Sequence, residues 1–223
     1  MLEYVVKIGT TTGKAALKGV VFHKVMECLA QVSIARKHGK KTFVDENFGR
    51  LRCDSTPDLF LRKSWDWYTP NTHKFYPKDY EDVREWIKTT LTMNNGKWDP
   101  RNMNVVHHEK FFDIEIPHDW AHYRYKVGDE WIEGQLRLRG TVDLIINNGM
   151  LEIVDWKTGA RRWDWATNKE KSYDDFANDS QLLLYYYVMR NELKTKDIAV
   201  TIMYPRCGGA YTFNFNDSDY EKA

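Results

Sequence analysis

Residues 140–159 read GTVDLIINNGMLEIVDWKTG, and this stretch decides the fold. Two runs rich in Val, Ile and Leu, Leu136–Asn147 and Met150–Lys157, flank an Asn-Asn-Gly turn, which is the pattern of a β-hairpin. Both runs are apolar enough for a sheet covered on both faces. Into that setting the chain places Asp143, Asp155 and Lys157. Burying ionised groups is costly unless they are paired or hold a cation, so their presence needs a reason.

Register decides whether the three share a face. A two-residue turn at Asn148-Gly149 sets position 143 opposite 154 and sends the two acids to opposite faces. A three-residue turn at Asn147-Asn148-Gly149 sets 143 opposite 153 and gathers Asp143, Asp155 and Lys157 on one face. The acids are then diagonal neighbours, with Cα atoms about 7–8 Å apart. The expectation is the second register, with Gly149 in the left-handed position that such a loop wants. Two carboxylates so placed can lean onto one hard divalent cation, which polarises a phosphoryl oxygen and acidifies water. An ammonium at Lys157 can orient that water and offset developing charge. The alternative on these residues alone is a surface hairpin with a salt bridge to Lys157.

Outward from the hairpin, the spacing of Val21, Val25, Cys28, Leu29 and Val32 predicts a helix over 14–38, stopped at Gly39. Residues 40–100 are aromatic, charged and broken by Pro57, Pro70, Pro77 and Pro100. They read as an insertion or cap, with a helix within 78–93. Val105 to Ile116 reads as a strand, Tyr173 to Leu193 as one long helix, and Ile198–Tyr204 and Tyr211–Phe215 as closing strands. The order predicts an α/β fold with a central mixed β-sheet flanked by helices, one domain over 1–223 with a partly helical insertion at 40–100.

The chain has 223 residues and a net charge of +1, so any basic footprint must be local. Candidate patches are residues 36–41 (RKHGKK), Arg137 with Arg139, and Arg161 with Arg162; each also reads as an ordinary solvated face. Cys28, Cys53 and Cys207 are widely spaced, which excludes a disulfide framework and a CxxC metal site. No apolar run is long enough to span a bilayer, and the first residues lack the pattern of a signal peptide. The expectation is a soluble cytoplasmic protein with no membrane partner.

Four short motifs occur in order: Gly19-Val20-Val21-Phe22-His23, Gly140-Thr141-Val142-Asp143, Asp155-Trp156-Lys157 and Gln181-Leu182-Leu183-Leu184-Tyr185. Together they resemble the PD-(D/E)XK nucleases, specifically the RecB-type branch that includes many phage exonucleases. The resemblance implies a restriction-endonuclease-like core and a Mg²⁺- or Mn²⁺-dependent deoxyribonuclease, an exonuclease in recombination, repair or phage DNA processing. It implies Asp143, Asp155 and Lys157 as catalytic residues. It implies His23 and the main-chain carbonyl of Trp156 as further metal ligands. Gln181 would contact the scissile strand or hold the active-site loop, supported by Tyr185.

Glu109, in VVHHEKFF, occupies the strand where members of the branch often carry a site-facing glutamate. By their residues alone, His23 and Tyr185 also fit a core and Glu109 an exposed strand. Gly19, one turn before His23, allows close approach of backbone or substrate. Arg161 and Arg162, in RRWDW, suit phosphate contacts with base stacking. With three cysteines and no paired C-terminal spacing, no iron–sulfur cluster is expected. The chain carries no GK[ST] phosphate loop, so any helicase or recombination partner is a separate protein, and an oligomer is open. Competing readings are a non-catalytic DNA-binding module, a structure-specific endonuclease and a hydrolase of small phosphoesters.

Overall fold

The computed structural model describes residues 13–69, 73–164 and 168–223. Pro70, Trp165 and the N-terminal stretch through Thr12 lie outside the described residues. The chain divides into two compact units. One holds the residues up to Val105 with Trp156–Trp163 and Met203–Ala210, and the other holds Val106–Asp155, Asp164–Ile202 and Tyr211–Ala223.

In the first unit, helix α1 (Lys14–Lys37) carries the expected stripe: Val21, Val25, Cys28, Leu29 and Val32 are all fully buried. It ends as expected, with Gly39 at φ 67°, a left-handed position where glycine has no Cβ to clash. Strands β1 (Thr42–Asp45) and β2 (Gly49–Arg52) form a hairpin. Pro57, Pro77 and Pro100 start elements rather than break them. Pro57 opens α2 (Pro57–Tyr68), with Thr56 accepting from the Leu59 amide, and Pro77 opens α3 (Pro77–Thr92). A proline at the first helical turn loses nothing, because its missing N–H has no partner there anyway. Helix α2 is absent from the sequence expectation; it buries Phe60, Leu61 and Ser64 as a narrow stripe. Pro100 opens a short 3-10 turn, Pro100–Asn102.

Helix α1 also buries charge. Lys24 is 4% exposed and Asp45 1% exposed, and they pair at 2.7 Å. Lys24 also reaches Glu27 at 2.9 Å, while Gln31 donates to both Glu27 and Asp45. The amides of Asn47 and Phe48 donate to Asp45 as well, so this network ties the β1–β2 hairpin to the helix. Its bonds hold the Asp45 carboxyl below the ordinary carboxylate range, against the opposing effect of burial. A carboxylate depressed on folding contributes stability that is complete above about pH 4 and is lost as pH falls through the folded value. Lys24 is shifted upward, so its share persists until strongly alkaline pH. Asp45→Asn is therefore expected to cost about 3–5 kcal/mol at pH 7. The difference from wild type should shrink below pH 4 in urea titrations. A cost that stays constant down to pH 3 would exclude this account.

The second unit is built on a five-stranded sheet of order β11-β10-β7-β6-β3. Its strands are β3 (Val105–Glu115), β6 (Arg137–Asn147), β7 (Leu151–Trp156), β10 (Ile198–Tyr204) and β11 (Gly209–Asn214). Between them lie the hairpin β4 (His122–Val127) and β5 (Glu130–Gln135), and the two-residue strands β8 (Trp163–Asp164) and β9 (Lys169–Glu170). The sheet is mixed and flanked by helices, as expected. All seven residues of β10 are buried, the mark of a strand covered on both faces. The β4–β5 hairpin was not anticipated; every residue of β4 is exposed, so it has no buried face to impose a hydrophobic alternation.

The long helix expected over 173–193 is instead two: α4 (Tyr173–Ala177) and α5 (Ser180–Leu193). Capping separates them. Ser172 caps α4, and Asp179 accepts from the Gln181 amide to start α5 afresh. Short polar side chains at such positions satisfy amides that a continuous helix would have paired internally. A last helix, α6 (Asp217–Lys222), closes the chain.

Candidate active site

The β6–β7 hairpin pairs Leu144 with Val154, Ile145 with Ile153, Ile146 with Glu152 and Asn147 with Leu151. The loop is therefore Asn148-Gly149-Met150, three residues long but one position later than expected. Two local features set it: Gly149 at φ 107° and its amide donating to the Asn147 side chain at 3.2 Å. The register is shifted by two from the expected one. An even shift keeps every side chain on its face. Asp143 and Asp155 are thus on one face as required, but continuing the ladder makes them direct cross-strand neighbours rather than diagonal ones. Asp155 is 3% exposed and Asp143 is half-buried.

Next to β6 in the sheet runs β3, which brings Glu109. A carboxylate oxygen of Glu109 and one of Asp143 lie within 4.8 Å. Glu109 has φ 42°, a left-handed backbone in mid-strand. For a residue with a Cβ this conformation costs on the order of 1–3 kcal/mol, and such strain concentrates at functional sites. Here it interrupts the strand's alternation at the residue whose carboxylate approaches Asp143.

From α5, the Tyr185 hydroxyl donates to Asp155 Oδ1 at 3.2 Å and accepts from Gln181 Nε2 at 2.9 Å. The two side chains sit one turn apart on the same helix face, as the Gln-x-x-x-Tyr spacing expects. The Tyr185 phenol is pushed far above its ordinary value, first by burial and then by the negative charges of Asp155 and Asp143. It therefore stays a neutral donor to the carboxylate. Gly140, at the head of the Gly-Thr-Val-Asp motif, has its own reason: a Cβ there would fall 2.6 Å from the Phe112 ring.

In the first unit, Lys157 follows directly on β7 and is half-buried; its amide donates to the Met203 carbonyl at 2.8 Å. Trp156 is buried with its indole edge-on to Phe22. His23 is half-buried on α1, four residues past Gly19. A Cβ on Gly19 would lie 2.9 Å from Thr158 Oγ1, so this glycine makes room for the side chain that follows Lys157.

Arg161 is exposed and Arg162 half-buried. The Arg137 and Arg139 patch is neutralised: Arg137 pairs with Asp113 at 2.7 Å and Glu115 at 3.1 Å, and Arg139 with Asp113 at 3.0 Å. Within the 36–41 patch, Arg36 is committed to the Cys53 carbonyl and Lys37 to Asn104. Sequence reasoning passed over Arg206, whose surroundings are polar and aromatic but follow no motif.

Among the described residues no helix is long and apolar enough to cross a membrane. No curated protein matches the chain. A solved structure described as a "Putative exonuclease" from Eubacterium rectale is similar with TM-score 0.50 and 9% identity, covering 100% of this chain and 66% of that one. The chain thus spans just under two thirds of that protein, and the likeness concerns the fold. A second, SSO0001, aligns with TM-score 0.29 and 13% identity over 90% of this chain and 70% of its own, too slight a likeness to argue from. The profile of the PD-(D/E)XK nuclease superfamily matches residues 1–218. With nearly its whole length matched, the chain belongs to the PD-(D/E)XK nuclease superfamily.

Proposed function

We propose that the chain is a divalent-metal-dependent deoxyribonuclease of the RecB-type branch, acting as an exonuclease in recombination, repair or phage DNA processing. The observation that carries the reading is the carboxylate cluster: Glu109 within 4.8 Å of Asp143, beside the buried Asp155 that Tyr185 holds in place. Such a set of oxygen donors suits a hard cation, and carboxylates gathered without one repel each other.

Asp143, Asp155 and Glu109 are the proposed ligands, with His23 and the Trp156 carbonyl completing the set. A bound Mg²⁺ or Mn²⁺ would supply charge neutralisation at the phosphoryl group and favour deprotonation of the attacking water. Lys157 orients that water by donating to it and stabilises charge developing on the phosphate. Gln181 and Tyr185 fix the Asp155 carboxylate, so its geometry is set before substrate arrives. Arg161 and Arg162 contact flanking phosphates.

The test is cleavage of end-labelled linear and closed circular DNA with Mg²⁺, Mn²⁺ or EDTA. Loss of linear DNA alone, only with metal, is the expected result. Cutting of the circle would make the protein an endonuclease, and cleavage that survives EDTA would remove the metal from the reading.

A further inference from the structure

Arg206 lies in the turn between β10 and β11, at an exposed position. Three contacts fix the turn. The guanidinium lies over the Trp86 ring, 4.5 Å from its centroid. Its Nη1 donates to the Thr158 carbonyl at 3.2 Å, and the neighbouring Cys207 Sγ lies 4.0 Å from the Gly159 carbonyl. The turn is thus stitched to the segment that immediately follows Lys157.

What Arg206 lacks is a carboxylate. Among the described residues no acid pairs with it, unlike Arg52, Arg84, Arg101, Arg137, Arg139 and Arg190. The second cation on the same indole, Lys18, is 5.3 Å from the centroid and is paired with Asp79 and Asp82. A guanidinium presents five N–H groups in a planar fork. The contact with the Trp86 ring restrains the group, and Thr158 takes one donor. The remaining donors belong to an exposed, positively charged side chain whose freedom these two contacts already restrict. A guanidinium with free donors and no carboxylate suits bidentate binding of a phosphate.

We propose that Arg206 binds a backbone phosphate of the nucleic-acid substrate, held ready by Trp86 and Thr158. The inference rests on the nuclease reading above. It adds a substrate-binding residue from outside the four motifs, one that also couples substrate engagement to the loop after Lys157.

The experiment is fluorescence anisotropy of labelled single-stranded and duplex 20-mers with the full chain in EDTA, which prevents cleavage, over 50–200 mM salt. Arg206→Gln is expected to raise Kd about 5–10-fold and to reduce the slope of log K against log salt by roughly 0.7–0.9, one phosphate contact. Arg206→Lys should keep the slope and lose only part of the affinity, because charge remains while the fork and the stacking do not. Unchanged Kd and slope in Arg206→Gln would overturn the inference. So would a fall in kcat with binding and slope intact, which would make Arg206 a positioning residue for the Lys157 loop. If the wild type binds neither DNA in EDTA yet cleaves DNA with Mn²⁺, the nuclease reading stands and this inference, which needs a metal-free phosphate contact, falls; if it neither binds nor cleaves, both fall.

Discussion

Lys157→Ala is expected to lower kcat for DNA cleavage by 10²–10³-fold or more, the usual cost of removing one preorganised donor from a developing anion. The fold should survive. Lys157 is half-buried, and its amide donates to the Met203 carbonyl, a bond that alanine keeps. Thermal melts should move by about 1 kcal/mol or less in equivalent stability, the ordinary range for truncating a partly exposed side chain. KM should change little, since a water-orienting ammonium acts mainly in the transition state. Full activity in this variant would sink the assignment of Lys157. A large loss of stability would recast it as a structural residue.

The second large effect is at Asp155. Wild-type protein should gain stability from Mn²⁺: about 2.7 kcal/mol at 100-fold excess over Kd. For a chain of this size that is a Tm rise of roughly 5–10 °C. Asp155→Asn keeps the shape and an acceptor for the Tyr185 hydroxyl, but removes a charge from beside Asp143. The expected result is threefold: cleavage abolished, the Mn²⁺-induced rise lost, and a metal-free Tm equal to or above the wild-type value. The last follows because a neutral amide beside Asp143 removes like-charge repulsion and the desolvation of a buried carboxylate. Differential scanning fluorimetry with and without Mn²⁺ reads all but the cleavage. A retained Mn²⁺ shift would place the cation elsewhere.

The hairpin at 140–159 was legible because its requirements conflict unless one parity is chosen. Apolar strands, two acids and a lysine agree only when the acids share a face. Parity could be read, but the exact rung could not, since a shift of two satisfies the same pattern and the Asn147 side chain settles it. The stop of α1 was legible from Gly39. Helix α2 was not, because a twelve-residue segment with charges between its aromatics hides a stripe of three buried residues. The split between α4 and α5 was written in Ser172 and Asp179, but a continuous apolar period from Phe176 to Met189 overrode the caps. The ionic network of Lys24 and Asp45 left no trace, since its members are twenty-one positions apart and each looks like a surface residue. Arg206 was equally silent: its orientation comes from Trp86 and Thr158, both remote in sequence.

The cap at Asp179 has a consequence for how the chain tolerates changes in length. Helical phase turns by about 100° per residue, so adding or removing a residue inside a helix rotates everything beyond it. Asp179 restarts that count, six residues before the hydroxyl that holds Asp155. A change of length ahead of Asp179 therefore leaves the phase of α5 unaltered. Between Asp179 and Tyr185 a change of a single residue would swing the tyrosine off the carboxylate. The phase that aims the tyrosine is set at the cap and nowhere upstream of it.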